Sequence, residues 1–147
     1  MTLISSKNSV NCHFVIFFFY ISSSLLLKYF YFVTFVKVKY LFICTANRDR
    51  SRTAEIYFQW HYPMHNFRSA GINKYLSERH GGVHVSKYMC DSADFIFCME
   101  RIHSDFLIEK FGSDLGQKIK VVNLGDTEKF MSPQLIEVIK EKIIIDG

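Results

Sequence analysis

From residue 38 onward, the chain alternates between short apolar runs and longer segments whose apolar positions recur at helical spacing. Runs of four to seven apolar residues bounded by turn-forming residues are typical of buried parallel strands. Two strands are predicted in this way, VKYLFIC (38–44) and DFIFCM (94–99). FRSAG (67–71) is predicted to be a brief strand that ends in Gly, and KIKVVNL (118–124) to be the last strand.

Each predicted strand is followed by a helix or a helical turn. The segments are SRTAEIYFQWHY (51–62), INKYLSERHGGVH (72–84, a loop or a short helix), VSKYMCDSA (85–93), RIHSDFLIEKFG (101–112) and SPQLIEVIKEKIII (132–145). Pro63 stops the first helix and Gly112 closes the fourth segment, whereas Ser132 and Pro133 cap and begin the last. Strands that alternate with helices predict a three-layer α/β sandwich, doubly wound around a four-stranded parallel sheet.

Residues 1–37 differ from the rest, because they contain no Asp or Glu and hold seven of the 15 Phe residues. Three interpretations stay open. Residues 14–36 are long enough for a membrane anchor, but Lys28 within them costs about 3 kcal/mol on insertion scales. The second interpretation is a cleaved signal peptide, but no small-residue cleavage site follows the apolar stretch. The third interpretation is that the start codon is assigned upstream of the true one, which would also produce such a segment. We expect an apolar extension (1–37) and one domain (38–147), cytoplasmic unless residues 14–36 are an anchor.

The net charge of +4 comes mostly from the first 37 residues, which leave 15 basic and 14 acidic residues beyond them. No basic face is therefore expected, and nucleic acid is excluded as a partner. The four cysteines, at positions 12, 44, 90 and 98, form no C-x-x-C pair and have no histidine at metal-ligand spacing. Neither a metal nor another cofactor is expected, and the thiols are predicted to be reduced.

The stretch FICTANRDRSRTAE (42–55) carries the candidate chemistry. Cys44 ends the first predicted strand, at the sheet edge where ligands bind in open α/β folds, and Asp126 follows the last strand at the same edge. A strand-to-helix loop of this length can surround an anion with backbone N–H groups, and Arg50 can bind two phosphate oxygens. The same positive field favours the thiolate of Cys44, a nucleophile suited to forming a cysteinyl-phosphate. Ser51 is placed to hydrogen-bond that thiolate.

The loop CTANRDRSRTAE resembles the phosphate-binding loop of the low-molecular-weight protein tyrosine phosphatases, most closely a bacterial branch of predicted tyrosine phosphatases with CTANR-x-RS-x-TAE. The segments RSAG (68–71), ADFIFCMERIH (93–103) and VVNLGDTEKFMSPQLIEVI (121–139) resemble that branch in order and spacing. The resemblance covers residues 38 to about 143. It implies the family fold and a phosphorylated protein or a small phosphoester as the substrate.

The resemblance also implies roles for individual residues. Cys44 matches the nucleophile, Arg50 the phosphate-binding arginine and Ser51 the serine that hydrogen-bonds the thiolate. Asn47 matches the asparagine that holds the loop in shape. Asp126 matches the general acid, which protonates the leaving oxygen and then activates water; a turn-forming Asp is the simpler alternative for it.

Three departures from the family pattern concern the loop and the acid. Arg52 stands where the family usually has Pro, and Asp49 stands where many members have a second Cys. A carboxylate at that position repels a dianionic substrate unless Arg48 or Arg52 pairs with it, so we expect both arginines to offset Asp49. Residues 127–129, after the acid, lack the aromatic side chains that usually line the phosphotyrosine slot.

Two other functions remain open from the sequence. An arsenate reductase has the same fold and loop, but it needs two further cysteines to relay a disulfide, for which Cys90 and Cys98 are available. A non-catalytic phosphate-binding module, or a decayed copy of the enzyme, would retain the loop without turnover. A Cys44 that is merely a buried strand residue is the simplest interpretation, but it leaves three arginines without a purpose.

Overall fold

The structure is a computed structural model that describes residues 37–145. The apolar extension and its three interpretations, including the anchor at residues 14–36, lie outside the described residues apart from residue 37. Among the helices of residues 37–145, none combines the length and the apolar character needed to cross a membrane.

Within the described residues, four strands form one sheet in the order β2-β1-β3-β4, and every neighbouring pair is parallel. The strands are β1 (Lys39–Cys44), β2 (Asn66–Gly71), β3 (Phe95–Cys98) and β4 (Ile119–Val121). This confirms the predicted sheet. The last strand is shorter than residues 118–124, because Asn123 adopts a left-handed conformation with φ 54° that an extended strand does not accommodate.

The helices also follow the predicted order. They are α1 (Arg50–His61), α2 (Lys74–Arg79), α3 (Lys87–Ser92), α4 (Arg101–Phe111) and α5 (Pro133–Lys142), with a short 3-10 helix at Ser113–Gln117. The segment left open as a loop or a short helix contains α2, because Asn73 caps it by accepting a hydrogen bond from the Leu76 N–H at 3.0 Å. Ser132 caps α5 in the same way.

Alternating residues of β1 divide the core between the two faces of the sheet. Tyr40, Phe42 and Cys44 pack on the face covered by α1 and α5, whereas Leu41 and Ile43 pack on the face covered by α3 and α4. Helix α1 is docked on the first face through Phe58, whose ring centroid lies 5.6 Å from that of Phe42. This docking holds the beginning of α1 directly after the loop that leaves β1.

The chain reverses its direction of winding at β1. It moves from β1 outward to β2, then crosses back so that β3 pairs with the other edge of β1. Open α/β sheets bind ligands at such a switch point, beyond the carboxyl ends of the strands. The residues after β1 and β3 therefore form the expected ligand site, and they begin with Thr45 and Met99.

We propose that residues 38–147 are a domain that folds without the preceding 37 residues. Within the described residues, two hydrophobic clusters, one on each face of the sheet, hold buried residues from Tyr40 to Ile145. A chain of this length buries enough apolar surface to be stable by itself. Residues 38–147 expressed alone should give a single cooperative thermal unfolding transition with the circular dichroism of an α/β protein. A broad, non-cooperative transition, set against a sharp one for the full chain, would show that the domain needs the extension.

Candidate active site

Cys44 is the last residue of β1, and the chain turns around its sulfur before α1 begins at Arg50. The thiol is buried, and its Sγ accepts a hydrogen bond from the Asn47 N–H at 3.2 Å and lies 3.0 Å from Ser51 Oγ. The N–H groups of Ala46, Arg48 and Asp49 make no hydrogen bond with any of residues 37–145. The loop thus presents backbone donors at the positive end of α1, next to a sulfur that is already an acceptor.

Asn47 holds the loop in this shape. Its φ is positive, at 47°, a conformation that Asn tolerates better than most other non-glycine residues. Its Oδ1 accepts from the Val83 N–H at 2.8 Å, which leaves Nδ2 to donate to Ser51 Oγ at 3.0 Å and to Ser69 Oγ at 2.7 Å. Because a backbone N–H can only donate, the orientation of this amide is determined by the protein itself.

The hydroxyl groups next to Asn47 continue a directed chain of hydrogen bonds. Ser69 Oγ accepts from Asn47 and donates to Glu55 Oε2 at 2.5 Å. Ser51 Oγ also accepts from Asn47, so its single hydrogen is available to Cys44 Sγ. A hydroxyl that donates to sulfur stabilises a thiolate, which can accept hydrogen bonds but cannot donate one.

Two glycines allow the loop to pack closely against the rest of the sheet edge. A Cβ on Gly82 would lie 2.7 Å from the Asn47 carbonyl oxygen, and one on Gly71 would lie 2.8 Å from the Asn47 nitrogen. Both distances are far below van der Waals contact, so any side chain at either position would displace Asn47. The sequence indicated a loop or a short helix over residues 72–84 but not this close approach.

Arg50 is the first residue of α1, and its guanidinium is almost completely buried. It is bound by two carboxylates and one backbone carbonyl group. Nη1 pairs with Glu100 Oε1 and donates to the Leu124 carbonyl oxygen at 2.8 Å, whereas Nε lies 3.1 Å from Asp126 Oδ1. The structure therefore brings Asp126 and the arginine of the loop together. The Asp126 side chain is 65% exposed, so it forms the solvent side of this cluster.

Asp49 ties the loop to the segment that carries Asp126. Its Oδ2 accepts from Arg48 Nε at 2.5 Å, and its Oδ1 accepts from the Phe130 N–H at 2.9 Å. The next N–H, of Met131, donates to Thr53 Oγ1 at 2.9 Å. Asp49 and the first turn of α1 therefore anchor residues 130 and 131, and through them the loop that follows β4.

The two arginines beside Arg50 have different roles. Arg48 pairs with Asp49, one of the two pairings considered from the sequence. The expectation for Arg52 was wrong: Arg52 Nη1 donates instead to the Gly81 carbonyl oxygen at 3.1 Å, which links α1 to the turn before Gly82. The side chain of Asp49 is only 12% exposed and is occupied by Arg48 and Phe130, so little of its charge faces a ligand.

The other two cysteines of the described part of the chain lie on the opposite face of the sheet from Cys44. Cys90 and Cys98 are fully buried in the cluster covered by α3 and α4. Burial raises the pKa of Cys90 to about 11 and that of Cys98 to about 12, so both remain protonated thiols at neutral pH. Cys12 lies outside the described residues.

The site includes residues for which the sequence suggested no role. Glu100, the second residue after β3, neutralises Arg50, and Ser69 lies within β2. His103 is fully buried near the beginning of α4, where its Nε2 lies 3.0 Å from Thr45 Oγ1. The position of Glu100, just beyond a strand that pairs with β1, was a usable signal. Ser69 and His103 carried no such signal, because in the sequence they cannot be told from an ordinary strand serine and an ordinary helix histidine.

No protein-family model matches the chain, and no curated protein matches it. Solved structures do match. Wzb from Vibrio vulnificus, in complex with benzylphosphonate, is 18% identical, with 71% of this chain and 91% of that one covered and a TM-score of 0.57. The tyrosine phosphatase AmsI from Erwinia amylovora is 18% identical, with 76% and 92% covered and a TM-score of 0.55.

A third match is a mutant of the YwlE arginine phosphatase in which serine replaces cysteine and the active-site serine is phosphorylated. It is 18% identical, with 71% of this chain and 86% of that one covered and a TM-score of 0.51. These likenesses confirm the fold class that the sequence predicted, the fold of the low-molecular-weight tyrosine phosphatases.

The hydrogen bond from the Phe130 N–H to Asp49 should restrict the motion of the segment after Asp126. Replacing Asp49 with Ala removes the acceptor of the Phe130 N–H, and amide hydrogen exchange at Phe130 should accelerate about tenfold, the equivalent of one lost hydrogen bond. Asp49→Asn retains an acceptor oxygen and should keep most of the protection. The Met131 N–H, bonded to Thr53, is the internal reference. Equal exchange at Phe130 in parent and Asp49→Ala would show that this contact does not hold the segment.

Acid destabilisation is expected from His103. Burial, and then the nearby Arg50, lower the pKa of His103 to about 4, with Glu100 and Asp126 acting in the opposite direction. An unfolded histidine titrates near 6.5, so between pH 6.5 and 4 the unfolded chain binds a proton that the folded chain does not. The free energy of unfolding should therefore fall on acidification through this window, by on the order of 3 kcal/mol.

The measurement is urea unfolding between pH 4 and 7.5 for the parent and His103→Gln. The variant has no group that titrates at this position, so its stability should depend less steeply on pH below 6.5. Parallel pH profiles for the two proteins would contradict the assignment. His80→Gln, at an exposed position, is the matched control and should follow the parent.

Proposed function

We propose that this protein is a cysteine-dependent phosphomonoester hydrolase that acts through a cysteinyl-phosphate on Cys44, with phosphotyrosine in proteins as its substrate class. The observation that carries the proposal is the environment of one sulfur. Cys44 Sγ accepts the Asn47 N–H, receives the Ser51 hydroxyl and lies in a loop that ends at a buried arginine paired with Asp126. A buried strand cysteine without chemistry needs none of these partners.

Substrate binding uses the unpaired donors of the loop. The N–H groups of Ala46, Arg48 and Asp49 are available to phosphoryl oxygens, at a helix N-terminus that favours an anion. Glu100 and the Leu124 carbonyl hold one side of the Arg50 guanidinium, so its remaining N–H groups are oriented before a substrate arrives. A preorganised fork of this kind binds two oxygens with little loss of side-chain entropy.

In the first chemical step, the Cys44 thiolate attacks phosphorus, the bond to the leaving oxygen breaks, and Asp126 in its acid form donates a proton to that oxygen. In the second step, water attacks the cysteinyl-phosphate and gives its proton to the Asp126 carboxylate. The bond between sulfur and phosphorus then breaks, and the Ser51 hydroxyl stabilises the departing thiolate. The products are the dephosphorylated alcohol and inorganic phosphate.

The choice of phosphotyrosine rests on one side chain and on two of the three neighbours in structure described above, since the third is an arginine phosphatase. AmsI is a tyrosine phosphatase, and Wzb was solved with benzylphosphonate, an aryl analogue of a phosphate ester. Residues 127–129 offer no aromatic wall, but Phe130 is 43% exposed and is anchored at the loop by Asp49. The flat side chain of Phe130 beside the loop suits the aromatic ring of a phosphotyrosine better than it suits a small phosphoester. A small phosphoester is therefore our second choice of substrate.

The cysteine positions argue against a reductase relay. Cys90 and Cys98 pack on the face of the sheet opposite to Cys44, and burial keeps both thiols protonated. A disulfide from Cys44 to either residue would require the chain to cross the sheet. We expect the hydrolase to work in the cytoplasm, where thiols stay reduced, because the proposed mechanism needs Cys44 as a free thiolate; no step of that mechanism uses a cofactor.

Cys44→Ser should abolish hydrolysis of p-nitrophenyl phosphate by the full chain, because a serine hydroxyl is not ionised near neutral pH and is a far weaker nucleophile. Phosphate release is the measurement. Cys90→Ala, on the other face of the sheet, is the matched control and should retain the parent rate. A parent without activity would support a non-catalytic phosphate-binding module, and equal rates in parent and Cys44→Ser would remove the cysteinyl-phosphate from the mechanism.

Asp126→Asn should lower kcat about a hundredfold or more, since general acid–base catalysis contributes 10²–10⁴ in rate. Binding of inorganic phosphate should persist, because the variant removes a carboxylate that pairs with Arg50 in the free protein. Glu128→Gln, two residues further along the same loop, is the matched control. A normal rate in Asp126→Asn together with a slow Glu128→Gln would move the acid to Glu128.

A further inference from the structure

His103 is a buried histidine that the proposed reaction does not use. It lies in the first turn of α4, where Nδ1 is 3.0 Å from the Glu100 nitrogen and Nε2 is 3.0 Å from Thr45 Oγ1. The Glu100 backbone N–H can only donate, so Nδ1 must be the acceptor. A neutral imidazole with an acceptor at Nδ1 carries its hydrogen on Nε2, and that hydrogen is donated to Thr45.

The charges around the ring keep it in this form. Burial and Arg50 lower the pKa of His103 to about 4, and Glu100 and Asp126 only partly oppose them. A protonated ring would put a hydrogen on Nδ1 and lose the bond from the Glu100 N–H. The direction of the bond to Thr45 is therefore determined by the fold throughout the neutral pH range.

The direction of this hydrogen bond determines what the hydroxyl of Thr45 can bind. Its oxygen receives the hydrogen of His103, and its own hydrogen has no acceptor among residues 37–145. Thr45 is half-buried and directly follows Cys44 at the beginning of the loop. A hydroxyl held in this way keeps its hydrogen available to a ligand, and it belongs to the same loop as the backbone N–H groups that also lack acceptors.

We propose that His103 is a positioning residue that acts through Thr45, and that the Thr45 hydroxyl donates a hydrogen bond to an oxygen of the bound phosphoryl group. The inference rests on the proposed phosphate loop and adds a side-chain donor to it. Glu100 connects the two ends of this loop to one turn of α4. Its side chain holds Arg50 at the end of the loop, and its backbone N–H sets the tautomer that holds Thr45 at the beginning.

The first test uses the full chain and inorganic phosphate, with the dissociation constant measured by NMR titration. Thr45→Val removes the hydroxyl at nearly constant volume and should weaken phosphate binding about tenfold, as expected for a hydrogen bond to a charged group. Thr45→Ser retains the hydroxyl and should bind within about twofold to threefold of the parent. If Thr45→Val binds phosphate as tightly as the parent, the proposal is wrong, whatever affinity the His103 variants show.

The second test separates the two nitrogens of His103. Gln places an N–H near Nε2 and should retain most of the phosphate affinity, whereas Asn reaches only the position of Nδ1 and should lose about as much as Thr45→Val. The double variant Thr45→Val, His103→Asn should bind no more weakly than Thr45→Val, because both changes remove one donor. Equal losses for Gln and Asn, or losses that add in the double variant, would overturn the role of His103. His80→Gln is the control for a surface histidine.

Turnover of p-nitrophenyl phosphate separates this inference from the proposed function. If the parent hydrolyses the substrate but Thr45→Val changes neither phosphate binding nor KM, the inference fails while the phosphatase stands. If no protein turns over but Thr45→Val still weakens phosphate binding, the inference holds for a loop that binds phosphate without catalysis.

Discussion

The site depends on the side-chain amide of Asn47. A strand-to-helix loop of this kind can surround a ligand only if most of its backbone N–H groups remain unpaired, and such a loop has few internal hydrogen bonds to keep it in shape. Asn47 supplies the missing restraint from the side: it accepts from Val83 and donates to Ser51 and Ser69. The same residue takes the left-handed backbone conformation of the turn, and the absence of side chains at Gly71 and Gly82 gives it room.

The second constraint is the burial of Arg50. A buried guanidinium requires partners, because an unpaired charge away from water is strongly unfavourable. Glu100, the Leu124 carbonyl and Asp126 provide them, and they come from the ends of β3 and from the segment after β4. The arginine thus joins the carboxyl ends of neighbouring strands into one cluster. Pairing Arg50 with the exposed Asp126 also means that a bound phosphoryl group and the carboxylate compete for the same guanidinium.

Asp49 is the residue in which this chain departs most from the pattern that its loop resembles, and the structure gives it a use. Its two oxygens are occupied by Arg48 and by the Phe130 N–H, so the carboxylate connects the loop to the segment after Asp126. Arg52, expected to share the task of neutralising Asp49, holds the turn at Gly81 instead. A charge that looked unfavourable for an anion site is an anchor.

The sequence alone determined the order of strands and helices, the parallel sheet and the positions of Cys44, Arg50 and Asp126 at one edge of it. These follow from local signals, since apolar periodicity, caps and strand ends are properties of neighbouring residues. Only the tertiary structure decided the partners. Glu100 meets Arg50, His103 meets Thr45 and Phe130 meets Asp49 across 50 or more residues of chain, and no local pattern encodes those pairs. The crossing from β2 back to β3 brings α4 to the loop, and the turn after β4 brings Phe130 to α1; hydrogen-bond geometry then selects which polar groups pair.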